Sequence, residues 1–158
     1  MTTTAQAEAP RIVGEALARG VAGDLEGGVD LLAPLIAAGW GSAYALAAML
    51  AEAASHIARR DQAPGTVFGM PVQNTVTGAW ESAEVLPPHV RFAAQFTTAW
   101  ANRDRAHAEA LFTALYERSA PDGNELVDGF LMLFQMAVCT SEEVVAEEQA
   151  KREQGSGS

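Results

Sequence analysis

The stretch RFAAQFTTAWANRDRAHAEALFTAL, residues 91–115, decides the fold class of this 158-residue chain. Phe92 and Phe96 stand about one helical turn apart, and Leu111 and Leu115 repeat that spacing after a polar break. The stretch therefore predicts two amphipathic helices joined by a tight turn. A hairpin of this kind has to bury its apolar faces against further helices, which indicates an all-α fold.

A shift of eighty residues places the earlier stretch RIVGEALARGVAGDLEGGVDLLAPL, residues 11–35, on the first one. Asp24 then falls on Asp104, and both are residue types that cap helix N-termini. The same shift puts Ser42 on Asp122, which opens a sequence with the form of a capping box. Sequence identity between the two aligned stretches is barely above chance, but the helix caps and the apolar faces recur at the same positions. The pattern predicts two similar three-helix units, although any two helical stretches rich in Leu, Ala and Asp can be aligned this way.

The chain is expected to form a single helical domain at 11–154, either a bundle or a short helical-repeat array of about six to seven helices. Leu31–Ala51 is uncharged and about long enough to span a bilayer, but Pro34 and Gly39 interrupt it, so two buried helices are expected. The predicted parts are a flexible N-terminal arm at 1–10, a first three-helix unit at 11–60, a central loop at 61–90, a second unit at 91–139, a C-terminal helix at 141–154 capped by Ser141, and an appended Gly-Ser linker at 155–158.

The central loop interrupts the helical pattern with repeated glycines and prolines. We expect a small hairpin or an ordered lid here, with one or two helical turns at 79–85. A connection this long is usually functional or disordered, and its apolar content argues against disorder. A loop folded back over its own core is the alternative to a partner-binding surface. The candidate partner-binding residues are Val67, Phe68, Met70, Val72, Val76 and Trp80.

No catalytic, cofactor-binding or metal-binding residues are predicted. The three histidines, His56, His89 and His107, show none of the spacings that zinc sites use. Asp104 is expected to cap a helix while His107 faces solvent. The glycine-rich turn that includes Gly28 lacks the lysine of a phosphate-binding loop, so close helix packing is expected there instead.

The net charge of −10, from 20 acidic and 10 basic residues, argues against nucleic acid or an anionic membrane as a partner. Cys139 is the only cysteine, so no intrachain disulfide is possible, and we expect it to be buried. We expect a cytoplasmic protein, since the first ten residues lack a signal-peptide pattern. The predominance of Arg over Lys and the abundant Ala and Gly suggest a GC-rich bacterial genome.

These observations favour a non-enzymatic protein–protein interaction module, an adaptor or scaffold, which could also form a homodimer. One alternative is an acidic inhibitor that occupies the basic site of a partner, for which Glu142, Glu143, Glu147 and Glu148 form a local cluster. A second alternative is a small-ligand binder or an unrecognised enzyme, with a pocket under the central loop. His89, Trp80 and Glu84 are then expected near its mouth.

Overall fold

The structure is a computed structural model and describes residues 2–63 and 65–157, with side chains from residue 7 onward. Within these residues the fold is all-α, as the sequence predicts, with seven α-helices and one small hairpin. Residue 1 of the predicted N-terminal arm and residue 158 of the predicted linker lie outside the described residues. The elements are α1 (Thr2–Val21), α2 (Leu25–Ala37), α3 (Trp40–Ala54), α4 (His56–Arg60), β1 (Val72–Gln73), β2 (Trp80–Glu81), a short 3-10 helix (Ala83–Val85), α5 (Pro88–Ala101), α6 (Arg105–Ser119) and α7 (Asn124–Gly155).

The α1–α2 and α5–α6 turns have the same backbone hydrogen bonds after a shift of eighty residues. Asp24 accepts from the backbone N–H of Gly27 at 2.9 Å, and Asp104 accepts from that of His107 at 3.1 Å, so both predicted N-caps are confirmed. The correspondence of the two helical hairpins therefore extends to atomic detail. The donor–acceptor pairs are Ala22–Ala18, Gly23–Gly20 and Asp24–Arg19 in the first turn, and Asn102–Thr98, Arg103–Trp100 and Asp104–Ala99 in the second.

The third helices of the two units, α3 and α7, pack against each other at the centre of the bundle. Each also contacts the first helix of the other unit, since α1 packs on α7 and α5 packs on α3. This exchange of contacts is the arrangement expected for two similar units about an approximate twofold axis. Their packing removes a shared apolar core from water. Its largest fully buried side chains are Phe96, Phe112, Phe134, Leu46, Leu50, Leu115 and Leu133.

Gly28 confirms the expectation of close helix packing in the glycine-rich turn. A Cβ atom at this position would lie 2.6 Å from Phe134 Cζ and 2.9 Å from the carbonyl oxygen of Ala16. The neighbouring Gly27 has a different role, because a Cβ there would collide with the carboxylate of Asp24, the cap of the same helix. Gly28 thus allows α2 to approach α1 and α7, whereas Gly27 makes room for the cap.

Several predicted boundaries in the first unit are wrong. α1 begins at Thr2 and carries Pro10 inside it, whereas the sequence placed its start at Arg11. α3 begins at Trp40, so Ser42 is not its cap; the Ser42 hydroxyl instead donates to a carbonyl near the end of α2 at 2.8 Å. The predicted third helix is also divided into α3 and α4. Serine hydroxyls can bond backbone carbonyls as readily as they cap N-termini, which explains the error at position 42.

The predicted break between the second unit and a C-terminal helix does not exist, because α7 is one continuous helix of 32 residues. Ser141 lies within it, and its hydroxyl donates to the carbonyl of Ala137 at 2.8 Å instead of capping a new helix. Cys139 is exposed, so the expectation that it is buried is wrong. The helical phase places Ala137 and Val138 towards the core and carries Cys139 past it to the outer face.

The predicted capping box at the start of α7 is also wrong. Gly123 is the N-cap residue, and Asp122 accepts only from the backbone N–H of Asn124, at 3.2 Å. Glu125 accepts from the guanidinium of Arg118 at 2.8 Å and does not reach back to the cap. A side-chain partner on α6 therefore replaces the local bond that the sequence pattern suggested.

Within the described part of the chain, α7 is the one helix whose length and composition would allow it to cross a membrane. Its residues Phe130, Leu133 and Phe134 belong to the core, and the central helix of a packed bundle passes the same test. The length of α7 is therefore weak evidence of a membrane span. The uncharged stretch Leu31–Ala51 is divided between α2 and α3, as predicted.

Candidate functional site

The central segment comprises residues 61–87, because α5 begins at Pro88 and the predicted end of the loop at residue 90 is wrong. It contains the predicted small hairpin. Strands β1 and β2 are antiparallel, with Val72 opposite Glu81 and Gln73 opposite Trp80. Asn74 closes the connection, because its side-chain oxygen accepts from the backbone N–H groups at positions 76 and 77, at 2.9 and 3.0 Å. Gly78 has a φ of 72°, a conformation that favours glycine. The apolar tip of the segment is therefore held by a hydrogen-bonded turn.

Asn102 attaches the central segment to the α5–α6 turn. Its side-chain oxygen accepts from the backbone N–H of Phe68 at 2.6 Å, and its side-chain nitrogen donates to the Phe68 carbonyl at 3.0 Å. These two bonds pair both the N–H and the C=O of Phe68, as a neighbouring β-strand would. The segment is thus fixed to the second helical unit at this point.

A cavity of about 250 Å³ lies between the central segment and α5–α6. Met70 and Ala83 form one side, and the residues opposite include Gln95 and His107. The His107 side chain is exposed and Asp104 caps α6, as predicted, so the histidine lies at the rim. The predicted mouth residues do not line this cavity. His89 borders a separate cavity of about 220 Å³ with Pro88, Leu115, Glu125 and Asp128.

The structure exposes four of the six candidate partner-binding residues. Val67 is 84% exposed, Val76 at the hairpin tip is 92% exposed and Trp80 is 68% exposed, while Met70 lies at the edge of the 250 Å³ cavity. Phe68 and Val72 are partly buried, Phe68 being the residue bound by Asn102. Of the nine large apolar side chains that the described residues expose, five lie in this one segment: Val67, Met70, Val76, Trp80 and Val85.

A second and larger cleft, of about 690 Å³, lies where the start of the central segment meets the α5–α6 turn. Arg59 and Arg103 border it together with Val67 and Phe68. Asp104 also lines this cleft, which therefore combines two arginines and one acidic residue with an apolar wall.

Glu52 on α3 connects the parts around this cleft. One carboxylate oxygen accepts from Arg59 at 2.6 Å, and the other accepts from the indole N–H of Trp100 at 2.6 Å and from Arg103 at 3.4 Å. Burial disfavours the charged form of this carboxyl, but the hydrogen bonds from Trp100 and Arg59 outweigh that effect and lower the pKa of Glu52. The carboxylate thus stays ionised and orients both arginines.

Three functional candidates were not predicted from the sequence: Asn102, Arg103 and Val85. Asn102 and Arg103 occupy a turn whose sequence suggests only a helix end. Their side-chain partners lie far away along the chain, at Phe68 for Asn102 and at Glu52 for Arg103. Val85 carried a signal, since it is an isolated apolar residue in the same loop as Trp80.

The described residues hold no group of three or more His, Cys, Asp or Glu side chains that could bind a metal ion. The central segment offers apolar contact, and the neighbouring cleft offers charged hydrogen bonding at Arg59 and Arg103, both of which bind Glu52. Comparison with family models, curated proteins and solved structures finds no match for this chain.

Proposed function

We propose that this chain is a non-enzymatic protein–protein interaction module, an adaptor or scaffold, that binds its partner through the central segment. The observation that carries the proposal is the concentration of exposed apolar side chains there, five of the nine within residues 67–85. Exposed apolar patches on soluble domains mark binding sites more often than isolated exposed residues do. Trp80 adds a residue type that is enriched at the energetic centre of interfaces.

The attachment of the segment also supports binding. The Asn74 turn and the Asn102 bonds to Phe68 hold the segment in one conformation before a partner arrives. A surface that is already ordered loses less conformational entropy when it binds. The hairpin can therefore present Val76 and Trp80 without first having to fold.

Affinity capture from a lysate of the source organism, combined with light scattering, tests the proposal. The double variant Val76→Ser/Trp80→Ser is expected to keep the wild-type circular dichroism spectrum, because both side chains are largely exposed, and to lose the captured protein. Val145→Ser, which removes an exposed valine from α7, is the matched control and is expected to retain it. Equal capture by the double variant, or equal loss by the control, would contradict the proposal.

The 250 Å³ cavity supports a second candidate function, the binding of a small ligand. Its lining combines apolar groups such as Met70 and Ala94 with the polar side chains of Gln95 and His107. The volume lies slightly below the range of about 300–1,000 Å³ typical of ligand pockets, so the ligand would be small. A fragment that raises the melting temperature of the wild type, but not of Ala83→Leu, would support this function.

The acidic-inhibitor alternative receives less support. Its carboxylate cluster is partly neutralised, because Arg60 donates to Glu147 at 2.9 Å. A basic protein that competes for this surface would have to displace that ion pair. We therefore rank this alternative below the adaptor.

A further inference from the structure

The side of α5 that points away from the shared core, its outer face, differs from the equivalent face of α1. In α1 this face is exposed and charged, and Glu15 forms ion pairs with Arg11 and Arg19 one helical turn to either side, both at 3.5 Å. In α5 there is no charged residue between Phe92 and Ala101. Where α1 carries charges, α5 thus carries small and uncharged side chains. The aligned pairs on this face include Gly14 and Ala94, Glu15 and Gln95, Ala18 and Thr98, and Arg19 and Ala99.

The central segment covers the outer face of α5. Ala94 is 3% exposed, whereas the aligned Gly14 is exposed and a Cβ atom there would meet nothing within 4 Å. Met70 and Ala83 of the segment line the 250 Å³ cavity together with Ala94, and the short 3-10 helix contacts α5. The neighbouring helices are arranged alike in the two units, so the central segment accounts for the difference in exposure.

The covering part of the segment, residues 66–86, is weakly attached to the helices, and we call it the strap. None of its residues is buried. Its hydrogen bonds to the helices, within the described residues, are the pair between Phe68 and Asn102 and a 3.4 Å bond from Arg91 to the Glu84 carbonyl. The cavity beneath it also removes contacts that close packing would provide. Segments with so few buried contacts open at a lower free energy than the fold as a whole.

We propose that the strap lifts from α5 as a unit while the helices stay folded, and that this movement uncovers the uncharged outer face of α5. Asn102 controls the movement, because its two bonds to Phe68 hold the closed position. The hairpin keeps its form in both positions, since the bonds of the Asn74 turn lie within the strap. The inference goes beyond the proposed function and does not depend on what the hairpin tip binds.

Lifting the strap also takes the 250 Å³ cavity apart. Met70 and Ala83 belong to the strap, whereas Gln95 and His107 belong to α5 and α6. A molecule held between the two sides contacts both of them only when the strap is closed. Any occupant of the cavity therefore favours the closed position.

The test is the rate at which engineered cysteines react with a polyethylene glycol maleimide, in a Cys139→Ser background that removes the exposed native thiol. Ala94→Cys places a thiol under the strap, where the cavity leaves room for the sulfur atom, and Thr98→Cys repeats the measurement one turn along. Gly14→Cys is the exposed reference, and Val138→Cys is the core reference, since Val138 is 4% exposed. Lifting predicts that Ala94→Cys reacts about tenfold or more slowly than Gly14→Cys and about a hundredfold or more faster than Val138→Cys.

Asn102→Ala should speed the reaction of Ala94→Cys by at least about fivefold, because both hydrogen bonds that hold the closed position are lost. The rates of Gly14→Cys and Val138→Cys should not change in the same background. Low concentrations of urea should alter the rate at position 94 little, since lifting exposes little surface, and should raise the rate at position 138 steeply.

Reaction of Ala94→Cys as slowly as Val138→Cys would mean that the strap opens only when the whole fold opens. Reaction as fast as Gly14→Cys would mean that the strap does not cover α5. A rate at position 94 that Asn102→Ala leaves unchanged would mean that the reagent enters through the cavity itself. Each of these results would overturn the inference without touching the proposed function, which capture by the Val76→Ser/Trp80→Ser variant tests separately.

Discussion

Gly28→Ala should destabilise the protein even though alanine is the better helix former. Replacing glycine by alanine within a helix normally gains about 1 kcal/mol. At this site the new methyl group would lie 2.6 Å from Phe134 Cζ and 2.9 Å from the Ala16 carbonyl oxygen. The carbonyl belongs to the backbone of α1, so α2 must move away from it. Overpacking of this kind costs about 1–3 kcal/mol, so the net loss lies between about 0 and 2 kcal/mol. Because the clash includes a backbone atom that cannot rotate away, we expect the upper part of this range, a loss of roughly 1–2 kcal/mol.

Gly14→Ala is the matched control, because Gly14 is an exposed position in α1 and a Cβ there meets nothing within 4 Å. This variant should be more stable than the wild type by about 0.5–1 kcal/mol. Urea unfolding followed by circular dichroism measures the free energy of unfolding of both variants. Both variants replace a helical glycine by alanine, so the effects of the substitution on the unfolded chain largely cancel when the two variants are compared. If Gly28→Ala is as stable as Gly14→Ala, the close approach of α2 to α1 is not as described.

Three further predictions concern the turn and the cleft. Asp104→Ala should lower the free energy of unfolding by about 1 kcal/mol and Asp104→Asn should restore it, as urea unfolding would show, since asparagine caps equally well. The depressed pKa of Glu52 stabilises the fold above the ordinary value of 4.5. That contribution should disappear as the pH falls below 4.5, and Glu52→Gln should unfold with a weaker pH dependence than the wild type in this range. Asn102→Ala should speed hydrogen exchange of the Phe68 amide, measured by mass spectrometry, with little change in the melting temperature.

The helical hairpins could be predicted from the sequence because their signals are local. Asp24 and Asp104 cap the helices that follow them, and the apolar spacing that identified the core face is a property of a single helix. The eighty-residue correspondence was detectable for the same reason. It is closest in the α1–α2 and α5–α6 turns, where each bond joins residues no more than five apart.

Helix starts were predicted wrongly at serines, because a serine hydroxyl can either cap a helix N-terminus or donate to a backbone carbonyl within or near a helix. Ser42 and Ser141 are good N-cap residues, but both donate to backbone carbonyls and do not cap. The choice depends on packing: α7 continues through Ser141 because Ala137 and Val138 are already buried against the other helices. Tertiary contact therefore overrides a local capping preference.

The candidate site was predictable only in part. The apolar composition of the central segment pointed to residues such as Val76 and Trp80, which the structure exposes. Asn102 and Arg103 carried no such signal, because their contacts join the turn to distant residues.

Site-specific photo-crosslinking from the hairpin tip tests the binding role of the central segment most directly. A photoreactive amino acid is placed at position 76 in one variant and at position 145 in another, since both valines are exposed and only the first lies in the central segment. If the central segment binds the partner, the position-76 variant forms a discrete crosslinked complex with a protein from the source lysate and the position-145 variant does not. Crosslinks from both positions to the same proteins, or none from position 76, would contradict a binding role for the central segment.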